Sequence, residues 1–489
     1  MNDRVELNKT LKPHWVWAIA LGSAVGWGCF VLPSEWMGSA GPLGAMIGLA
    51  IGALLMMVIA VSFGFMVEKF PVSGGSFVFS YLLFGRHHAY ICGWFLTLGY
   101  MSIVALNATA MALLAKFIFP SLMKIGYLYS IGGWDVYIGE VIIGSAFLIF
   151  FAYFNIKGAQ ISGKIQFIFC LIMVAGVLLL TISMLFHPST NIENLKPLFR
   201  SDISAFAGII SIVAIAPWAY VGFDNIPQAA EEFNFPPKKA FSLIIFSLIF
   251  ACLLYVLMIF TTALGNPWQE LVAGKPIWGT GDIISATLGK LGLLLLVISV
   301  CMGVFTGLNG FYVSTSRLMF AMGRARILPK FFTTLHPKYK TPYKGIIFTC
   351  IICLFAPWFG REVLGWIVDM SSIGVTIAYF YTCFSAYKLF SWSKNGGDFQ
   401  VGKRIVETYH PWKKLLALLG SICGIVFVLL LLIPGSPAAL GIPSLVALLC
   451  WTILGIGFYI YKRRDLKSME KSQLDYYIIG KTVLGEKTS

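Results

Sequence analysis

The sequence predicts an all-α integral membrane protein of twelve transmembrane helices, and three observations carry that prediction. Apolar residues make up 58% of the 489-residue chain and charged residues only 12%, with a mean hydropathy of +0.82; soluble domains carry about 25% charge. The apolar residues fall in runs long enough to cross a bilayer, which takes about 20 residues each. Two of these runs are interrupted. The stretch 21–33, LGSAVGWGCFVLP, holds Gly22, Gly26 and Gly28, and the stretch 215–224, IAPWAYVGFD, holds Pro217 and Gly222. A helix broken at membrane depth leaves backbone amides and carbonyls unpaired, which is tolerated only where they face protein or line a cavity that receives something polar. One break opens each half of the chain, so the pair marks a candidate binding site and points to a transporter.

Taken in order, a polar, basic tail (1–12) leads into helix 1 over 13–37, split at its glycines, and helix 2 over 42–70. The PVSGGS cluster from Pro71 to Ser76 and a Gly85-Arg86-His87-His88 turn, with both histidines near headgroups, lead to helix 3 over 89–119. Helix 4 covers 136–155 and helix 5 covers 164–186, followed by a polar loop at 188–201. Helix 6 starts near 203, breaks between Pro217 and Gly222, and ends at Glu232, because Pro236-Pro237 forbids further helix. Helix 7 covers 241–264, and the connection 265–290, with Trp268 and Trp278, reads as an interfacial segment. Helix 8 (291–322), a basic loop (323–344), helix 9 (345–359) and helix 10 (363–390) complete the second half. Helices 11 (415–433) and 12 (443–461) carry no break aimed at a site and read as peripheral. The organisation is a tail at 1–12, five-helix blocks at 13–202 and 203–390, a loop with helices 11 and 12 at 391–461, and a tail at 462–489.

The net charge of +15 does not indicate nucleic acid, because Lys and Arg sit between apolar spans instead of forming one stripe. Most of the 36 Lys and Arg fall in the N-terminal tail, the even-to-odd loops and the C-terminal tail. By the positive-inside rule both termini are then cytoplasmic, in a multi-pass protein of the plasma membrane. The polar N-terminus leading into a full span is not the pattern of a cleavable signal peptide. The ten cysteines lie almost entirely in apolar spans, where cysteine behaves as a small hydrophobe, and the Cys350-x-x-Cys353 spacing within such a span reads as packing. There is no GxxxxGK[ST] loop, HExxH pair or nucleophile elbow. No enzyme activity, ATP hydrolysis, cofactor or firm metal site is expected, so transport must be secondary.

Five short patterns occur in order: Phe30-Val31-Leu32-Pro33 closing the first break; Pro71-x-x-Gly74-Gly75; Asn155-x-x-Gly158; Tyr220-Val221-Gly222-Phe223-Asp224 with Ala230-Glu231-Glu232; and Ser316-Arg317 running to Leu328-Pro329. Together, over residues 14–390, they resemble the amino acid, polyamine and organocation permeases. The resemblance implies two inverted five-helix repeats, helices 1–5 and 6–10, with discontinuous helices 1 and 6 and the substrate between them. It also implies pocket positions at Ser23, Ala24, Trp27, Gly28, Gly99, Tyr100, Val104, Asn107, Trp218, Val221, Asp224 and Phe311, with Trp218 closing over substrate and Phe311 beneath it. The physics of the breaks agrees. Free N–H groups around Ala24, Gly26 and Gly28 suit a carboxylate, and free carbonyls of Trp218, Ala219, Tyr220 and Val221, before Gly222, suit an ammonium. Two departures stand out: Trp27 replaces the small or hydroxyl residue of most relatives, and Met173 stands where proton-coupled relatives carry a lysine. No cysteine occurs in 120–134, where heavy-chain partners attach by a disulfide, so no such partner is expected.

Ionisable groups inside a bilayer are functional candidates by default. Asp224 can gate, titrate, meet an amine, or cap the second half of helix 6. Glu35 and Asp369 are expected in an outer vestibule, where two carboxylates would concentrate cations. Glu231 and Glu232, near Lys238, Lys239 and Arg317, form a candidate inner gate or a structural ion pair. A sodium site is conceivable from Gly22 and Val25 carbonyls with Thr306, and Met173 favours sodium use or exchange against a counter-substrate over proton coupling. The expected function is secondary transport of an amino acid across the bilayer. An amine or polyamine transporter or exchanger is the alternative, and a non-transporting nutrient receptor a distant one; no filter-like repeat suggests a channel.

Overall fold

The computed structural model describes residues 4–131, 134–274, 276–360, 362–394, 399–401, 404–406, 411–467, 470–480 and 483–484. Parts of the predicted tails and of the connection before helix 11 lie outside these residues. Among the described residues, nine helices are long and apolar enough to cross a membrane. The segments expected as helices 1, 6 and 9 are instead divided into shorter pieces, as breakers inside an apolar run dictate.

Helix 1 runs Pro13–Val25, turns at Gly26 and Trp27, and resumes as Gly28–Val31 and Pro33–Ala40. Helix 2 is Pro42–Lys69 and helix 3 is Ser76–Ile118, bent at Gly85, where φ is +80°. The expected turn at 85–88 is therefore a kink within one helix, since glycine adopts the left-handed angle without a steric penalty. A hairpin, Tyr127–Ile131 paired antiparallel with Trp134–Tyr137, precedes helix 4, Ile138–Ile156, and helix 5, Ala159–Leu185. Helix 6 is Ala205–Ala214 and Ala216–Ala219, then after the break Asn225–Gln228 and a single turn at Ala230–Glu232.

Helix 7 is Lys239–Ala263 and helix 8 is Gly279–Arg324, bent at Gly289 with φ +65°. The stretch 265–290, read as a connection, contains a short helix, Trp268–Ala273, and the first turns of helix 8. Trp268 and Trp278 are buried. Their indole N–H groups donate to the carbonyls of Pro197 and Phe30, both at 2.9 Å, which ties this stretch to the loop before helix 6 and to the second segment of helix 1. Helix 9 is Tyr343–Cys353 followed by Ala356–Phe359, and helix 10 is Glu362–Lys394. Helices 11 and 12, Pro411–Leu432 and Ile442–Lys467, expose much of their apolar surface, and a final helix, Lys471–Ile479, follows.

Helix 8 packs against helices 1, 3 and 5, and helix 10 packs against helices 3 and 11. The close approach of helix 8 to the first break rests on Gly303, where a Cβ would lie 2.2 Å from the Gly26 carbonyl oxygen. The N-terminal tail lies against the end of the helix 6 segment. The amides of Thr10 and Leu11 both donate to the Glu232 carbonyl at 2.9 Å, and Asn234 N–H donates to Leu11 O at 2.9 Å. The C-terminal helix joins the same face through Tyr81 hydroxyl to Asp475 at 2.7 Å and Arg4 Nε to Tyr477 O at 3.4 Å.

Candidate functional site

The breaks in helices 1 and 6 face each other across a small cavity of about 20 Å³, room for about one water molecule. Helix 1 contributes residues from Ser23 to Gly28, helix 3 Ile103, Leu106 and Asn107, helix 6 Trp218 and Val221, and helix 7 Tyr255. Most of this lining is apolar. Two residues that line it, Ser23 and Asn107, carry buried polar atoms, Oγ and Oδ1, that have no hydrogen-bond partner among the described residues; both atoms sit against helix 8, where a Cβ on Gly310 would lie 1.9 Å from Ser23 Oγ and one on Gly307 2.6 Å from Asn107 Oδ1. The Asn107 amide is fixed by donating from Nδ2 to Ile103 O at 2.9 Å, which leaves its oxygen as a free acceptor. A buried polar group without a partner costs about 1–3 kcal/mol, so the arrangement is suited to a polar ligand.

Trp27 and Trp218 line this cavity and also a second, larger one of about 550 Å³ that includes Glu35, Trp36, Trp278 and Asp369. Their rings meet edge to face with centroids 6.4 Å apart. The two indoles thus separate the inner cavity from the vestibule, and Trp27 lines the pocket instead of turning away from it. Asp369 accepts from Ser444 Oγ at 2.6 Å and from the Gly441 amide at 3.3 Å, tying helix 10 to the start of helix 12.

Tyr255 escaped the sequence reading. Its hydroxyl lies 2.8 Å from both Ala24 O and Ala219 O and 3.3 Å from Val25 O. One phenolic proton serves carbonyls from both breaks, so the bridge can satisfy only one of them at a time. A tyrosine within the otherwise apolar helix 7 run was the available signal.

Several expected pocket residues stand behind the cavity. The Tyr220 side chain points to helix 2, donating to Leu49 O at 2.9 Å. Gly99 faces helix 10, where a Cβ would meet Val375 at 3.2 Å. Val104 and Phe311 are fully buried outside its lining, and Phe311 packs on Tyr100 with centroids 5.6 Å apart. Asp224 accepts from the Gly222 amide at 2.9 Å and from the Tyr100 hydroxyl at 2.7 Å. Its carboxylate therefore stitches the helix 6 break to helix 3. Gly222 has φ +139°, and a Cβ there would lie 2.5 Å from Ala24 N, so the two breaks touch only because that residue is glycine.

Beside the cavity, Thr306 Oγ donates to Gly22 O at 3.0 Å, which brings together two of the three residues of the candidate sodium site. The Val25 carbonyl faces Tyr255. The Gln166 amide group occupies the space next to them, donating to Ala18 O at 3.2 Å and Thr306 O at 3.1 Å. Its oxygen accepts from Asn309 at 2.7 Å, and Asn309 Oδ1 in turn accepts from Asn155 at 2.9 Å and Ser162 at 2.8 Å. This buried polar chain joins helices 1, 4, 5 and 8.

On the face bearing the termini, Glu232 pairs with Arg317 through two bonds of 2.6 and 3.1 Å, and Glu231 pairs with Arg324 through two of 2.9 and 2.8 Å. Glu231 also accepts from the amides of Leu7 at 3.1 Å and Ser73 at 3.3 Å, with Arg4 at 3.8 Å. The carboxylates thus pair with Arg317 and Arg324, and Lys238 and Lys239 line a separate cavity with Glu68.

The family model for amino acid permeases matches residues 15–458. The chain belongs to the amino acid permease family. It is 26% identical over 347 residues to the branched-chain amino acid permease BcaP of Bacillus subtilis, covering 66% of this chain and 69% of that protein. It is 22% identical to the aromatic amino acid transport protein AroP of Salmonella typhimurium, covering 95% and 98%. A methylthioribose transporter of Bacillus subtilis is 24% identical, covering 75% and 78%. This permease is thus a multi-pass membrane protein with amino acid permeases among its relatives.

Proposed function

We propose that this permease is a secondary transporter of amino acids with uncharged side chains, working by alternating access around the cavity between helices 1 and 6. The observation that carries the proposal is the pair of helix breaks facing each other across a largely apolar cavity, whose lining residues Ser23 and Asn107 each carry a buried polar atom without a hydrogen-bond partner among the described residues. In the helix 1 segment resuming at Gly28, the amides of Phe30 and Val31 donate to the Trp27 carbonyl at 3.0 and 3.2 Å, and those of Gly28 and Cys29 at its start are a fit for the carboxylate. Carbonyls at the helix 6 break and the Asn107 oxygen fit the ammonium. Ile103, Leu106, Val221 and the two indoles fit an apolar side chain, and no acidic side chain lines the cavity to hold a cationic one. At about 20 Å³ it must expand before any amino acid enters, which fits an occluded state whose tryptophan lid moves.

The inverted repeats at 13–202 and 203–390, twelve spans, plasma-membrane location and cytoplasmic termini belong to the same reading. So does exchange, or coupling to sodium, over proton coupling, because Met173 stands where proton-coupled relatives carry a lysine. An amine substrate is favoured by one observation, the two carboxylates Glu35 and Asp369 in the vestibule.

The deciding measurement is thermal stabilisation of the detergent-purified protein by paired ligands, each amino acid beside the amine made by removing its carboxylate. A ligand that binds only the folded state stabilises by RT ln(1 + [L]/Kd). The expected result is stabilisation by apolar amino acids and not by their amines, with the same amino acids accumulating by counterflow in proteoliposomes. Stabilisation by the amines alone would replace this reading with amine transport; binding without counterflow would leave a receptor.

A further inference from the structure

We propose that the cleft between helices 2, 7 and 11, on the face bearing the chain termini, binds the phosphate headgroup of an anionic membrane lipid. The cleft has a volume of about 460 Å³ and its rim carries Lys238, Lys239 and Lys413, with Ser242 and a single carboxylate, Glu68. Glu68 is already engaged by Lys69 at 3.6 Å. Among the described residues, no salt bridge neutralises the three rim lysines. Lys413 is held with its ammonium 5.6 Å from the Phe65 ring and 5.5 Å from that of Trp412, which orients a charge without neutralising it. Three ammonium groups around one concavity repel each other, and a phosphate would relieve that repulsion.

The walls decide between a lipid and a soluble anion. Phe241 at the start of helix 7 sits directly on helix 2 at Gly64, where a Cβ would lie 2.4 Å from its ring. Beyond that contact, helices 7 and 11 present exposed apolar faces: Phe246, Ile249 and Phe250 on one, Leu415, Leu418 and Ile422 on the other. Trp412, exposed at the start of helix 11 beside the lysines, is the residue type that settles at headgroup level. A basic pocket at the ends of two helices that expose apolar side chains along their length matches a charged headgroup with acyl chains alongside those helices; a free phosphate has no use for the apolar faces.

The test is thermal stabilisation and native mass spectrometry of the full-length protein with phosphatidylglycerol, phosphatidylcholine or inorganic phosphate. It compares the wild type with a Lys238→Gln, Lys239→Gln, Lys413→Gln triple variant and a Lys338→Gln, Lys340→Gln control in the basic loop before helix 9. Phosphatidylglycerol is expected to stabilise the wild type and phosphatidylcholine not. The triple variant is expected to bind phosphatidylglycerol at least about tenfold more weakly, and the control within about twofold of wild type. Should the triple variant fail to fold, Lys413→Gln alone is expected to weaken binding about fivefold. An unchanged phosphatidylglycerol response in the lysine variants, an equal loss in the control, or a shift reproduced by inorganic phosphate would each overturn the proposal.

Discussion

The two ends of the paired helix breaks are closed by different chemistry. Toward the vestibule, closure consists of two indole rings in edge contact, with about 550 Å³ of open space above them. Toward the termini it consists of two buried arginine–glutamate pairs with a strand-like tail laid across them. An aromatic pair adds only about 0.5–1.5 kcal/mol beyond its area, whereas breaking one partner of a buried ion pair costs about 3–5 kcal/mol. Under the proposed alternating access, the vestibule side is expected to open more readily from this state, and the ionic side to act as a stop that yields when both charges regain water or new partners together.

The sharpest way to break this comparison is Arg317→Ala, which leaves Glu232 buried without its partner. It is expected to cost about 3–5 kcal/mol. Hydrogen exchange at Thr10 and Leu11, whose amides bond to the Glu232 carbonyl, should quicken, and adding Glu232→Gln should recover part of the loss. If exchange at those amides is unchanged, the tail does not report on the ion pair and the ionic side is not the stop described.

Gly222→Ala comes next, with about 1–3 kcal/mol of backbone strain and a collision at Ala24 N; both breaks should separate and uptake should fall to background. Normal uptake would mean that the breaks need not touch. Trp218→Ala removes half of the lid. Substrate affinity is expected to fall about tenfold, or roughly 1.4 kcal/mol, with dissociation faster, while hydrogen exchange at Thr10 and Leu11 stays as in the wild type. Unchanged binding and exchange of substrate would remove Trp218 from the pocket.

Ser23→Ala separates a site from a structural role more finely. Removing a hydroxyl that has no partner should leave the unfolding free energy without substrate within about 0.5 kcal/mol of wild type and weaken binding several-fold, by about 0.5–1.5 kcal/mol. A large loss of stability without substrate would instead mark Ser23 as structural. The smallest effect belongs to the vestibule. Glu35→Gln with Asp369→Asn should slow association of a cationic ligand about twofold at low salt and leave neutral amino acids unaffected. Equal slowing of both would indicate a change of shape.

Much of the site was legible because backbone breakers act locally. Gly26, Gly28, Pro217 and Gly222 interrupt their runs whatever surrounds them, and the cavity lies at those breaks. The misses have a common origin in helical phase. At an interrupted helix the rotation of each residue after the break is undetermined, so Val221 faces the cavity while its neighbour Tyr220 faces helix 2. Asp224 reads as a titratable group in an apolar run, yet its oxygens are taken by Gly222 and Tyr100. Arg324 and the docking of residues 7–11 were invisible because their partner, the Glu231–Glu232 pair, is remote in sequence.

Hydropathy, breaker residues and charge bias alone determined that this chain is a helical membrane protein organised around two interrupted helices, because each is a property of a residue and its near neighbours. Only the tertiary structure decided that Tyr255 joins the two breaks, that Trp27 and Trp218 divide one cavity into two, and that two arginines close the opposite face. Those are contacts between helices far apart in the chain, and they follow from which faces the packed helices turn toward one another.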